Sequence, residues 1–204
     1  MKTLLISLTI LSAFVWSSFA PATTSGYSIN DEARDFKLKN VDGNFVSLAD
    51  YKDAKGIIVV FTCNHCPFSV AYEDRIIALH KTYAAKGFPV VAINPNDPIS
   101  YPSDSYENMQ IRAKEKKFPF AYLIDETQDI AKTYGALKTP HVFILRKSGS
   151  KYIVSYIGAI DDNSDDEDAV KTKYAENALN DILAGREIGQ ATTKAIGCGV
   201  KWKK

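Results

Sequence analysis

The sequence predicts an α/β fold: a single domain with a mixed central β-sheet covered by helices on both faces, an N-terminal β-hairpin and a central insertion. Strand-like apolar runs alternate with segments of helical spacing along the chain, the pattern of a layered α/β domain. Residues 57–61 are uninterrupted Ile, Val and Phe, as a strand buried on both faces requires. No internal repeat or second apolar core breaks the 204 residues, a length that suits one domain.

Each element follows from local pattern. Residues 36–38 and 45–48 flank Asp42-Gly43-Asn44 and read as the opening hairpin. After the central strand, Val70, Ile76, Ile77, Leu79, Tyr83 and Ala84 keep helical spacing over 69–85, and Gly87 follows as a stop. Residues 88–93 form a second buried strand. Pro95, Pro98 and Pro102 exclude regular structure from 94–105, which reads as a surface excursion ahead of a charged helix at 106–117. A third strand at 120–124 precedes a short helix at 127–134. Residues 141–145 and 152–156 form a last hairpin across the turn 147–150, and 174–184 is the closing helix.

Charge excludes one class of function. Lys and Arg number 25 against 24 Asp and Glu, so the chain lacks the basic footprint of a nucleic-acid-binding protein. Lys2, the apolar stretch 4–15 and the small residues Ala20-Pro21-Ala22 have the order of a secretory signal peptide. The expected organisation is therefore a signal peptide at 1–22 and a domain at 23–204. That domain would be exported across the inner membrane to the periplasm, with no stable membrane insertion after cleavage. Thiol pairs there meet oxidising conditions.

Three cysteines are too few for a disulfide scaffold and are read by spacing. Cys63 and Cys66 stand three apart, directly after the central strand and at the start of a helix. Such a pair can reach disulfide separation, and the free N–H groups of a helix start favour a thiolate at the first sulfur. Cys63 is thus expected to have a lowered pKa, with His65 adding a donor or positive charge beside it. Pro67 suits the first helical turn. Half of a zinc site, or a static disulfide, are the competing readings of the same spacing. The chain offers few further zinc ligands, and so short a loop contributes little stability.

Three further segments accompany residues 59–67: Thr139-Pro140-His141 within 135–144, residues 156–163, and 196–202 around Gly197-Cys198-Gly199. Together they resemble the thioredoxin superfamily, and more closely its extracytoplasmic, peroxiredoxin-related (redoxin, AhpC/TSA-like) branch. The resemblance implies a thioredoxin-like fold and thiol-disulfide oxidoreductase activity on protein thiols and disulfides through Cys63 and Cys66, with an unidentified redox partner. It implies a cis Pro140 facing the dithiol and a Thr139 backbone that pairs with an incoming extended chain. His65 and Pro140 join the cysteines as catalytic residues, and Thr139 and His141 as substrate-binding ones. Neither a cofactor nor a resident metal is assigned, and a monomer is expected.

Departures from the family patterns define the alternatives. Thr62 and Ile57 replace the tryptophan and buried aspartate usual in thioredoxins; Glu73, two turns along the helix, is the substitute proton acceptor, or a solvated surface residue. Against the peroxiredoxin pattern, Val59 and Cys63 stand where proline and threonine belong, which disfavours a thiol peroxidase. Copper binding by Cys63, Cys66 and His141 is the remaining alternative. His80 reads as a helix-surface residue. Cys198, unpaired by count, is either a third redox cysteine or a small buried residue. The acidic run 161–168 reads as a solvated loop, since it lacks the glycine and glutamate of a calcium loop. Tyr101, Pro102 and Tyr106 read as a packed loop or part of a partner surface.

Overall fold

A computed structural model describes residues 26–204, so the expected signal peptide at 1–22 lies outside the described residues. Its main sheet has seven strands in the order β2-β1-β5-β4-β3-β7-β8. These are β1 (Lys37–Asn40), β2 (Phe45–Ser47), β3 (Gly56–Phe61), β4 (Val90–Asn94), β5 (Ala121–Ile124), β7 (His141–Ser148) and β8 (Lys151–Gly158). Strands β3, β4 and β5 are parallel neighbours, whereas β7, β8 and the β1–β2 hairpin attach antiparallel, giving the expected mixed sheet.

The all-apolar run of β3 buries both faces at once because side chains alternate across a strand. Ile57, Val59 and Phe61 enter a core with Phe143, Leu123 and the helix α3 (Asp129–Tyr134). Ile58 and Val60 enter the opposite core, with Tyr72, Ile76 and Leu79 of α1 (Pro67–Tyr83) and Ala175, Ala178 and Leu179 of α4 (Tyr174–Leu183). Each large apolar side chain so buried stabilises the fold by about 1.5–3 kcal/mol. The helix α2 (Tyr106–Lys116) closes a third, smaller cluster through Met109 and Tyr122.

Several expectations need correction. The last hairpin is tighter than the 147–150 turn: its strands run to a Ser148–Lys151 pair, and Gly149 takes a positive φ of 62° in the two-residue connection. The 94–105 excursion is a surface loop only in part, with Ile99, Ser100, Pro102 and Ser103 exposed. It contains a short 3₁₀ turn, Pro102–Asp104, and buries Asn94, Asn96, Asp97 and Asp104. Glu73 is not solvated either: it is 5% exposed and receives two hydrogen bonds from Arg112 at 2.6 and 2.8 Å, with Lys116 Nζ at 3.3 Å. This ion cluster clamps α1 to α2. Asp161 likewise leaves the solvated acidic run, accepting from Arg75 Nη1 at 2.8 Å and Tyr72 Oη at 2.7 Å. His80 is half-buried, its Nδ1 accepting from the Val90 N–H at 3.2 Å. Among the described residues no helix is long and apolar enough to cross a membrane.

A second, two-stranded sheet lies outside the main one. Strand β6 (Lys138–Thr139) pairs antiparallel with β9 (Cys198–Gly199), matching Lys138 to Gly199 and Thr139 to Cys198.

Candidate active site

The C-x-x-C segment leaves β3 where the parallel β4 also ends and the antiparallel β7 begins, and enters α1 at Cys66. Cys66 is the extended residue before the helix, Pro67 follows in the first turn, and the Cys66 carbonyl accepts from the Val70 N–H at 3.0 Å. The Thr139–Pro140 peptide is cis, as the resemblance implied, and lies over the cysteines. Cys63 Sγ is 3.2 Å from Thr139 Oγ1, and Cys66 Sγ is 3.2 Å from the Thr139 carbonyl oxygen. One residue thus touches both sulfurs.

The pairing of the cysteines differs from the expected one. Cys66 is disulfide-bonded to Cys198, with a Cα separation of 6.0 Å, and Cys63 is a buried free thiol. The extended chain opposite Thr139 is therefore the protein's own C-terminal segment. Of the two readings of Cys198, the small unpaired buried residue is excluded.

Cys63 also departs from its expected acidity. The Cys66 backbone N–H does point at its sulfur, and Thr139 and Ser69 hydroxyls lie nearby, all favouring thiolate. Burial outweighs them: with 2% of the residue exposed, desolvation is the largest influence, and the neighbouring Asp104 carboxylate adds repulsion. The pKa is raised above the ordinary thiol value, so in this state Cys63 is held as a thiol.

The excursion positions this loop through Asp104. Its Oδ1 accepts from the Asn64 and His65 N–H groups at 2.7 and 3.3 Å, and its Oδ2 accepts from Asn96 Nδ2 at 2.9 Å and contacts His65 Nδ1. Asn64 also receives the Tyr122 hydroxyl at 2.9 Å and donates to the Ser103 carbonyl at 2.9 Å. His65 stacks on Tyr101 at 4.7 Å between ring centres. It sits beside Cys63 as expected, but brings a carboxylate with it. Donor atoms of Cys63, His65 and Asp104 all lie within 4.8 Å of one another, the one such cluster among the described residues. Asp104 is already engaged by its hydrogen-bond donors there. His141 is not part of that cluster. It pairs with Phe61 across the sheet, its ring rests against Phe143 on the α3 face, and burial lowers its pKa to about 4.

Asp104, Asn96 and Ser69 were not singled out from sequence. A cysteine bracketed by glycines, Gly197-Cys198-Gly199, was the available signal for a close backbone approach. An added Cβ at Gly197 would lie 2.2 Å from the Thr139 carbonyl oxygen and 3.0 Å from the Pro140 nitrogen.

The fold that carries this site is similar to that of other proteins. The structure is similar to that of an uncharacterised conserved protein from Geobacillus kaustophilus, with 38% identity, 88% of this chain and 94% of that one covered, and a TM-score of 0.80. The thioredoxin domain of a thiol-disulfide oxidoreductase from Bacteroides vulgatus superposes with a TM-score of 0.53 at 19% identity, over 65% of this chain and 91% of that one, and shares the fold. The thiol-disulfide oxidoreductase ResA of Bacillus thuringiensis subsp. konkukian is 28% identical over 124 residues, 59% of this chain, and the match spans 65% of the relative's length. With residues 29–157 matching the AhpC/TSA family, the chain carries the thioredoxin fold and belongs to that family.

Proposed function

We propose that this protein is a thiol-disulfide oxidoreductase that exchanges disulfides with protein thiols outside the cytoplasm, through Cys63 and Cys66. One observation carries the reading: both sulfurs sit within 3.2 Å of Thr139 atoms, beside a cis Pro140 and at the N-terminus of α1. A thiol at that position can attack a disulfide presented by an extended chain pairing with Thr139. The similarity to ResA, a thiol-disulfide oxidoreductase by name, supports the same chemistry.

In the reducing direction the Cys63 thiolate attacks a client disulfide and forms a mixed disulfide, expelling one client thiolate. The Cys66 thiolate then attacks Cys63, and the second client thiolate leaves. Two electrons have passed to the client and a Cys63–Cys66 disulfide remains. An extracytoplasmic redox partner must restore the dithiol; in the oxidising direction the same residues act in reverse order. Thr139 and Pro140 form the docking strip, His141 lies beneath it, and His65 with Asp104 fixes the loop between the cysteines. The protein works as a monomer in the periplasm, exported by cleavage of residues 1–22 from the domain at 23–204.

Replacing Cys66 by Ser removes the resolving thiol and should trap clients on Cys63. Recovery of mixed disulfides from cells producing Cys66→Ser, absent from the Cys63→Ser, Cys66→Ser double variant, is the expected result. Their absence, together with rapid peroxide consumption by the wild type, would transfer the assignment to a thiol peroxidase.

A further inference from the structure

We infer that Cys198 is a third redox-active cysteine, carried on an internal substrate strand that occupies the docking strip until the disulfide moves from Cys66–Cys198 to Cys63–Cys66. This inference rests on the dithiol reading of Cys63 and Cys66 given above.

Four observations converge on it. First, Cys198 pairs in antiparallel register with Thr139, the residue before the cis proline, so β9 fills the backbone position an incoming client strand would use. Second, Gly197 lies flat on the Thr139–Pro140 peptide, an approach that a side chain would prevent. Third, the tail is docked just beyond the bond, on the C-terminal side of Cys198. The Val200 N–H donates to the Leu137 carbonyl at 3.1 Å, and the Lys201 N–H to Asn96 Oδ1 at 2.8 Å. The Lys201 carbonyl accepts from the Asp97 N–H at 2.9 Å and Gln128 Nε2 at 2.8 Å. Fourth, a free thiol waits beside this disulfide, since Cys63 and Cys66 touch the same threonine. A disulfide serving stability alone has no need of a substrate-like strand or an adjacent third thiol.

The step balances without an outside oxidant. Cys63 loses its proton to solvent and its thiolate attacks Cys66 Sγ, forming the Cys63–Cys66 bond. The Cys66–Cys198 bond breaks, and Cys198 leaves as a thiolate that takes up a proton. No electrons are gained or lost overall. The tail, no longer covalently held, vacates Thr139 and admits a client. Burial of Cys63 beside the Asp104 carboxylate favours its protonated thiol and slows the step. While bound, the tail competes with clients as an intramolecular ligand at high effective concentration.

The experiment uses the oxidised 23–204 chain, trapped with N-ethylmaleimide at timed intervals and mapped without reduction. Trypsin places Cys63 and Cys66 on one peptide and Cys198 on another, so the labelled cysteine identifies the bond. Wild type should carry maleimide partly on Cys63 and partly on Cys198. Cys63→Ser should hold only the Cys66–Cys198 bond, and Gly197→Ala should shift the label toward Cys198. Cys198→Ser should oxidise a dithiol peptide about tenfold faster than wild type, because the strip is no longer tethered shut. Label confined to one cysteine at all times in wild type and Gly197→Ala, with equal peptide oxidation by Cys198→Ser, overturns the inference and leaves the oxidoreductase reading intact. Partitioned label with no peptide oxidation by any variant overturns that reading while the internal exchange stands.

Discussion

The C-x-x-C loop and the C-terminal tail meet at the Cys66 sulfur, but they are built by opposite means. The loop arises where β3 ends and α1 begins, so a few consecutive residues determine most of its course. The tail has almost no regular structure: its two-residue strand is placed by β6, Asn96, Asp97 and Gln128, each distant in sequence. A site made of neighbouring residues announces its chemistry, whereas a segment held by remote partners can change its occupancy. The difference separates the fixed part of the site from its movable cover.

The largest effect should come from breaking the bond between the two regions. In Cys63→Ser the Cys66–Cys198 linkage cannot migrate, and it closes a sequence separation of 132 residues. Reducing it should lower stability by about 5 kcal/mol on the loop-entropy model, measured as a shift in urea midpoint. A shift under about 1 kcal/mol would mean the tail is held without the bond.

Loosening the loop from the excursion comes next. Asp104→Ala leaves the Asn64 and His65 N–H groups and Asn96 Nδ2 without their acceptor. The expected loss is about 3–4 kcal/mol by denaturant titration. Asp104→Asn keeps much of the shape and removes the charge. Since a carboxylate beside Cys63 raises its pKa, the alkylation profile of Cys63 should then move to lower pH.

Beneath the strip, His141 provides a pH signature. Its pKa falls from 6.5 to about 4 on burial, so below pH 6.5 the unfolded chain takes up a proton that the folded chain refuses. Stability should be full above that value and decline by roughly 2–3 kcal/mol as the pH approaches 4. His141→Phe should flatten this part of the curve; an unchanged slope would assign the decline to other groups. The smallest effect belongs to the α1–α2 clamp. Arg112→Ala leaves buried Glu73 with Lys116 alone and should cost about 2 kcal/mol in thermal unfolding.

These regions also mark how far the sequence could be read. The β3 strand, α1 and its Pro67 start, the mixed sheet and the cis Pro140 follow from local patterns or from the family resemblance, and the structure contains them. The charged partners were misjudged because burial is a tertiary property: Glu73 and Asp161 look solvated until Arg112 and Arg75 are placed against them. Cys63 shows the same difficulty. Its helix-start amide was foreseeable, but burial, and an Asp104 carboxylate from elsewhere in the chain, raise its pKa instead. Pairing of Thr139 with Cys198 leaves no local trace beyond the glycines around the cysteine.

Exchange at Cys63 is the central claim, and its most direct measurement is the oxidation of a dithiol peptide by the oxidised protein, followed by quenched mass spectrometry. Wild type should form one peptide disulfide per chain while losing its own, and Cys63→Ser should be slower by at least about 1000-fold. Equal rates and stoichiometry for wild type and Cys63→Ser would contradict it.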